Sequence, residues 1–192
     1  MAKRALGIMM RVLAIPFFLH FRAQEAVLGE RRAIASTSQA LSLLPGVAGE
    51  YLRRAFLQWV TGLPLIDCCI SFGTTFSDPR TRMGNGVYIG RGCDIGYADI
   101  GDNCLLGSYV QVLSGLRQHG FEDPALPIKE QPGEFSKVQI GEDSWIGNGT
   151  IVAAHVGRKC VIGVGSVVVK VIPDFAIAAG NPARVLRFRN SR

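Results

Sequence analysis

The stretch VYIGRGCDIGYADIGDNCLLG, residues 87–107, sets four aliphatic–glycine pairs in a row: Ile89-Gly90, Ile95-Gly96, Ile100-Gly101 and Leu106-Gly107. The pair returns downstream as Ile140-Gly141, Ile146-Gly147, Val156-Gly157 and Ile162-Gly163. Most neighbouring pairs stand six residues apart. The exceptions are a five-residue step from Ile95 to Ile100 and a ten-residue interval from Ile146 to Val156. The fourth residue after each aliphatic is small: Cys93, Cys104, Val110, Ser144, Thr150, Cys160 or Ser166. Asp99, at the five-residue step, is the misfit. Six residues suit one short strand plus a corner, with the aliphatic inward, the small residue where the interior narrows and glycine at the bend. Three such faces close one coil, and stacked coils build a continuous aliphatic core. The rhythm predicts a mostly β chain wound as a solenoid, in preference to the strands of a sandwich.

The flanking sequence reads differently. Of 192 residues 48% are apolar, enough for a substantial core, and the net charge is +6. Residues 1–60 hold eight Lys/Arg against three Glu, which permits an anionic partner (nucleic acid, lipid headgroups or a phosphorylated cofactor) without choosing among them. Leu6, Met9, Met10 and Leu13 fall at helical spacing, and a second helix is expected over 47–59 with Leu52, Phe56 and Trp59 on one face. Ser36–Ser38 and Pro45-Gly46 punctuate between them. The run from Ala5 to Phe21 is apolar but contains Arg11 and Pro16, short of the ~20 clean residues of a spanning helix. No small-residue cleavage site follows it, so it reads as retained. The expected division is a helical segment over 1–60, a solenoid over 61–186 and a tail over 187–192. Val185 onward is expected as tail or short helix. The helical segment is expected either to cap the solenoid or to tether residues 1–25 to a membrane surface. In both cases it would set location or stability rather than chemistry.

Five cysteines without a Cys-x-x-Cys or Cys/His cluster give poor support for zinc, and their odd number favours a reducing compartment. Cys93, Cys104 and Cys160 read as small core residues of the repeat. Residues 113–137 break the rhythm with three prolines and three glycines and are expected as a loop expelled from a corner. That loop contains His119, one of three histidines, and imidazole is the natural base for drawing a proton from an attacking hydroxyl. His155 reads as a corner residue and as the second candidate. Glu122 and Asp123 read first as ordinary loop or acceptor-contact residues, with orientation of His119 as the alternative, and Trp145 as an apolar residue covering a corner.

Residues 85–112 and 138–186 resemble the hexapeptide-repeat acyltransferases. That family includes galactoside and maltose O-acetyltransferases and sugar O-acetyltransferases of surface-polysaccharide synthesis. The phrases carrying the resemblance are VYIGRGCDIG, ADIGDNCLLGSYV, VQIGEDSWIGNGTIV, CVIGVGSVVVK and AAGNPARVL. The resemblance implies a left-handed parallel β-helix with a protruding loop, a homotrimer, acetyl-CoA as co-substrate and a saccharide hydroxyl as acceptor. The cysteine number and the basic, apolar N-terminus place the expected enzyme in the cytoplasm or at the inner face of the membrane, and no metal is expected to be required. Ser114-Gly115-x-x-x-His119, with Phe121, Asp123-Pro124 and Pro127-Ile128, resembles the segment bearing the catalytic histidine in the polysaccharide relatives. His119-Gly120 replaces the His-Pro of the galactoside type. By the same match Asn148, Val164, Gly165 and Lys170 would line the pantetheine arm of the cofactor, and Arg184 and Arg187 would meet its phosphates. Val169 stands where relatives often carry Thr. The other functions on this architecture fit less well. A γ-type carbonic anhydrase needs three converging histidines, and the repeat half has two. Nucleic-acid binding lacks a motif. An amino-sugar or antibiotic N-acyltransferase and a non-catalytic scaffold are the alternatives.

Overall fold

The computed structural model describes residues 2–189, so the last residues of the expected tail lie outside it. Four helices come first: α1 (Ala2–Leu13), α2 (Ile15–Leu28), α3 (Glu30–Ser42) and α4 (Gly46–Thr61). Ala14 between α1 and α2 is itself helical, and the backbone ladder runs through it (Ala14 N–H to Met10 O, 2.9 Å; Phe18 N–H to Ala14 O, 3.0 Å). Pro16 falls in the first turn of α2, where a missing N–H costs little. Pro45 precedes α4, as its punctuation predicts, and Gly62 ends that helix in the left-handed region at φ 71°. Ser36, Thr37 and Ser38, expected as a break, lie instead inside α3. Tertiary partners outweigh their weak helix propensity. Thr37 and Ser38 are buried, and the Ser38 hydroxyl donates to Phe76 O and accepts from Phe76 N–H, both at 3.0 Å.

The rest of the described chain winds a three-sided parallel β-helix. The first sheet stacks β1 (Cys69–Ile70), β4 (Tyr88–Ile89), β7 (Leu105–Leu106), β10 (Trp145–Ile146), β12 (Val161–Ile162) and β14 (Ala176–Gly180). The second stacks β2 (Thr75–Phe76), β5 (Asp94–Ile95), β8 (Gln111–Val112), β11 (Ile151–Val152) and β13 (Val167–Val168). The third stacks β3 (Arg82–Met83), β6 (Ala98–Ile100) and β9 (Val138–Ile140), extended by bridges from Ile140 to Val156 and on to Ile172. Register is strict: Ile70, Ile89, Leu106, Ile146, Ile162 and Ala178 form one inward column, all buried. Each such aliphatic contributes roughly 1.5–3 kcal/mol by burial.

The irregular steps of the sequence have structural causes. At the five-residue step Ala98 takes the inward slot, fully buried, and Asp99 turns outward to pair with Lys137 at 3.3 Å. The ten-residue interval hides β11, whose inward Val152 is followed by Ala153 rather than glycine. The tail expectation is corrected. Residues from Ala183 form β15 (Ala183–Phe188), antiparallel to β14, because the turn at Gly180-Asn181-Pro182 folds the chain back onto the open edge of the first sheet. Residues 113–137 leave the third coil between β8 and β9, with one 3-10 turn at Ile128–Glu130 and no strand.

The small position is also a hydrogen-bonding position. Cys93, Cys104 and Cys160 are fully buried or nearly so, and their thiols donate to Gly107 O, Gly141 O and Pro173 O, each at 3.1 Å. Ser144 and Thr150 do the same to Gly157 O (2.9 Å) and Gly163 O (3.2 Å). A side-chain donor satisfies the corner carbonyl of the following coil.

Candidate active site

Within the repeat half, the residues singled out for chemistry sort onto two edges of the prism. Asn148, Val164 and Gly165 all lie in turns carrying the chain from the first sheet to the second, one coil above another. Gly165 N–H donates to Asn148 O at 2.9 Å, and Ser108 N–H donates to Asn148 Oδ1 at 3.1 Å. Asn148 therefore spends two acceptors, its backbone oxygen and Oδ1, on stacking the corner. Val164 is 72% exposed on that ridge. The Gly180 turn closes over the same edge, with Gly180 N–H donating to the Ser166 hydroxyl at 3.1 Å. Arg184, the second residue of the return strand, lies there opposite Ala179 and exposed to solvent. Arg187 sits farther back, opposite Ile177, in a groove of about 450 Å³ with Asn103, Asp143, Trp145 and Arg189. Trp145 is not a corner residue: it stands on the outer face of β10, in register with Leu105 and Val161.

His119, His155 and Lys170 belong to the edge between the second and third sheets. His119 is solvent-exposed in a cleft of about 420 Å³ lined also by Arg117, Phe121, Glu122, Pro132 and Glu134. Among the described residues nothing hydrogen-bonds its ring. Two runs of the loop fold against each other to place it, with Glu134 N–H on Arg117 O (2.7 Å) and Ser136 N–H on Ser114 O (2.9 Å). At Gly133 a Cβ would meet the His119 Cα at 2.9 Å, so only glycine permits this close crossing. Gln131, which sequence reading passed over, holds the far side. Its amide donates to Asp123 O (2.7 Å) and Leu126 O (3.0 Å) and accepts from Asp123 N–H (3.0 Å). Asp123 turns its carboxylate to Ala125 N–H at 2.8 Å, away from an orienting role, which leaves Glu122 and Glu134 as the carboxylates on the cleft. His155 is committed to structure at one nitrogen: Gln139 N–H donates to Nδ1 at 3.0 Å. Lys170 is exposed one coil beyond.

The loop is also tied to the helical segment. The Arg31 guanidinium of α3 lies 3.9 Å from the centre of the Phe135 ring and 3.3 Å from the Asp78 carboxylate. Burial alone would raise the Asp78 pKa. The Arg80 hydrogen bonds (2.9 and 2.6 Å) and the charge of Arg31 outweigh it and hold the carboxyl below its ordinary value. Among the described residues no group of three metal-ligating side chains converges anywhere.

Known proteins share this architecture. Residues 137–170 match the family described as the hexapeptide repeat of succinyl-transferase. A galactoside O-acetyltransferase of Lactococcus lactis is 30% identical over 159 residues, 81% of this chain and 70% of that protein. A protein of Mycobacterium tuberculosis named "Probable acetyltransferase" is 40% identical over 113 residues, 56% of this chain, and the match spans 37% of the relative's own length. In structure, the hexapeptide-repeat acetyltransferase of Vibrio cholerae superposes with a TM-score of 0.71 at 21% identity, covering 86% of this chain and 96% of that one. The chain belongs to the hexapeptide-repeat acetyltransferases.

Proposed function

We propose that the protein transfers an acetyl group from acetyl-CoA to a hydroxyl of a saccharide acceptor, working in the cytoplasm as a homotrimer of left-handed β-helices. The observation carrying this reading is His119: a solvent-facing imidazole with no hydrogen bond among the described residues, fixed by a glycine-dependent crossing in its own cleft. The edge bearing Asn148, Val164 and Gly165 is a different one, so a neighbouring protomer is the natural source of the cofactor wall. A donor CoA lying along that edge would bring its phosphates toward β15, where Arg184 and Arg187 suit them. Five free thiols fit a reducing compartment.

The chemistry follows from the base. The imidazole takes the proton of the acceptor hydroxyl as its oxygen attacks the thioester carbonyl. The tetrahedral oxyanion collapses, the C–S bond breaks, and the imidazolium returns its proton to the departing thiolate. The test is steady-state transfer with a saccharide panel, following thiol release. His119→Ala should lower kcat by about 10²–10⁴ with little change in acetyl-CoA affinity. Near-normal kcat at saturating acceptor would move the base elsewhere. A product stable to alkaline hydroxylamine would be an amide and would point to the amino-sugar alternative.

A further inference from the structure

We infer that α1 and α2 form a docking surface for an anionic lipid bilayer, lying in the membrane plane with one apolar stripe turned toward the acyl chains. At about 100° per residue, Ile8, Val12, Ile15 and Leu19 fall within about 60° of one another around the continuous helix. They face solvent, with Ile8 61%, Val12 59% and Leu19 60% exposed. Ala23 prolongs the stripe, which runs about 23 Å from Ile8 to Ala23 at 1.5 Å per residue. The opposite side is the packed one: Ala14 and Phe21 are buried, and Phe21 meets Phe56 of α4 edge-on at 6.0 Å. A contiguous apolar strip of this length on a soluble surface marks an interaction site.

The charge beside the stripe identifies the partner. Arg11 and Arg22 fall on the same edge of it, three helical turns apart, and both are exposed. Arg11 also lies 5.2 Å from the centre of the Trp59 ring, whose indole N–H donates to Arg11 O at 2.9 Å. Arg22 pairs with Glu25 at 2.5 Å and remains 59% exposed. An apolar stripe bordered by arginines, with a half-exposed tryptophan alongside, matches a headgroup surface carrying negative charge. A second copy of the chain would set like-charged edges against each other. The segment Leu6–Leu28 has the length and mean hydropathy (1.5) of a spanning helix, yet spanning would strip Phe21 from α4 and draw Arg11, His20 and Arg22 into hydrocarbon. Lying flat keeps the packed face packed.

The test uses the full chain and flotation with vesicles of phosphatidylcholine alone or with about 30 mol% phosphatidylglycerol. Binding is expected to the anionic vesicles and to fall at least about tenfold between ~0.1 and ~0.5 M salt. The triple variant Ile8→Ser, Val12→Ser, Leu19→Ser should lose at least about tenfold in binding at unchanged helical content and hydrodynamic size. A second variant, Leu19→Trp, keeps the stripe apolar, and its fluorescence should be quenched by lipids brominated on shallow acyl carbons beyond the quenching of the parent. Absence of binding by the parent, equal binding by the triple variant, or an unquenched Trp at position 19 overturns the inference. So does a smaller assembly of the triple variant, which would assign the stripe to contacts between copies.

Discussion

Cys104 and Ser144 hold the same place in successive coils and make the same bond, each donating to the corner carbonyl of the coil that follows. The sequence shows that this place demands a small side chain. It does not show the acceptor, which stands 37 residues away from Cys104 across the excursion of the third coil. Burial pushes the Cys104 thiol up to about 11 from an ordinary value of 9.0. An unfolded chain loses that proton near pH 9 while the folded chain keeps it, so the thiol's contribution is whole below pH 9 and declines as pH rises toward 11. Two units correspond to about 2–3 kcal/mol at most. Cys104→Ser should fold, since Ser144 already does this work, and should flatten the loss of stability between pH 8.5 and 10.5. Urea unfolding at both pH values measures it, and an unchanged slope would place the alkaline sensitivity elsewhere. Asp99 teaches the complementary lesson: a misfit in the pattern marks where the register shortens, not where the fold fails.

Among the elements, α1 and α4 were legible because their apolar residues recur at helical spacing. α3 was not, because Ser-Thr-Ser reads as a break until the edge of β2 is there to receive it. That helix does more than cover the first coil. Arg31 joins it to Phe135 at the base of the loop bearing His119, a contact through which the helical segment could act on the proposed site. Arg31→Ala should lower kcat about three- to tenfold, the range of one cation–π contact, with acetyl-CoA affinity and thermal midpoint nearly unchanged. Arg31→Lys keeps the charge near Asp78 but loses the planar stack, so it should recover only part of the rate. Equal rates for all three proteins would make the contact decorative. Gln131 and Gly133 were invisible beforehand for a related reason: a loop without periodicity reveals its internal bonds only when folded.

For the assembled protein, the separation of His119 from Asn148, Val164 and Gly165 onto two prism edges has a measurable result. If each site draws on two protomers, an equal mixture of His119→Ala and Val164→Glu chains, refolded together, should regain up to about a quarter of the parental activity. Each variant alone should be nearly inactive, and a mixture as inactive as its components would place the whole site within one protomer. The stacking was legible in the sequence as rhythm, and the candidate residues as phrases. Their partition between edges was not, because it depends on which of three sheets each turn leaves. The helices and β15 carry one more meaning. A parallel in-register ladder has no intrinsic length, and its end strands offer the same template that lets cross-β fibrils elongate without limit. Here Ser38 occupies both free backbone groups of Phe76, Arg53 donates to Ile70 O at 2.9 Å, and at the far end an antiparallel strand bearing Arg184 and Arg187 covers the last rung of the first sheet. Both ends thus carry terminators, and the number of coils is set by what stops the polymer rather than by what its core would allow.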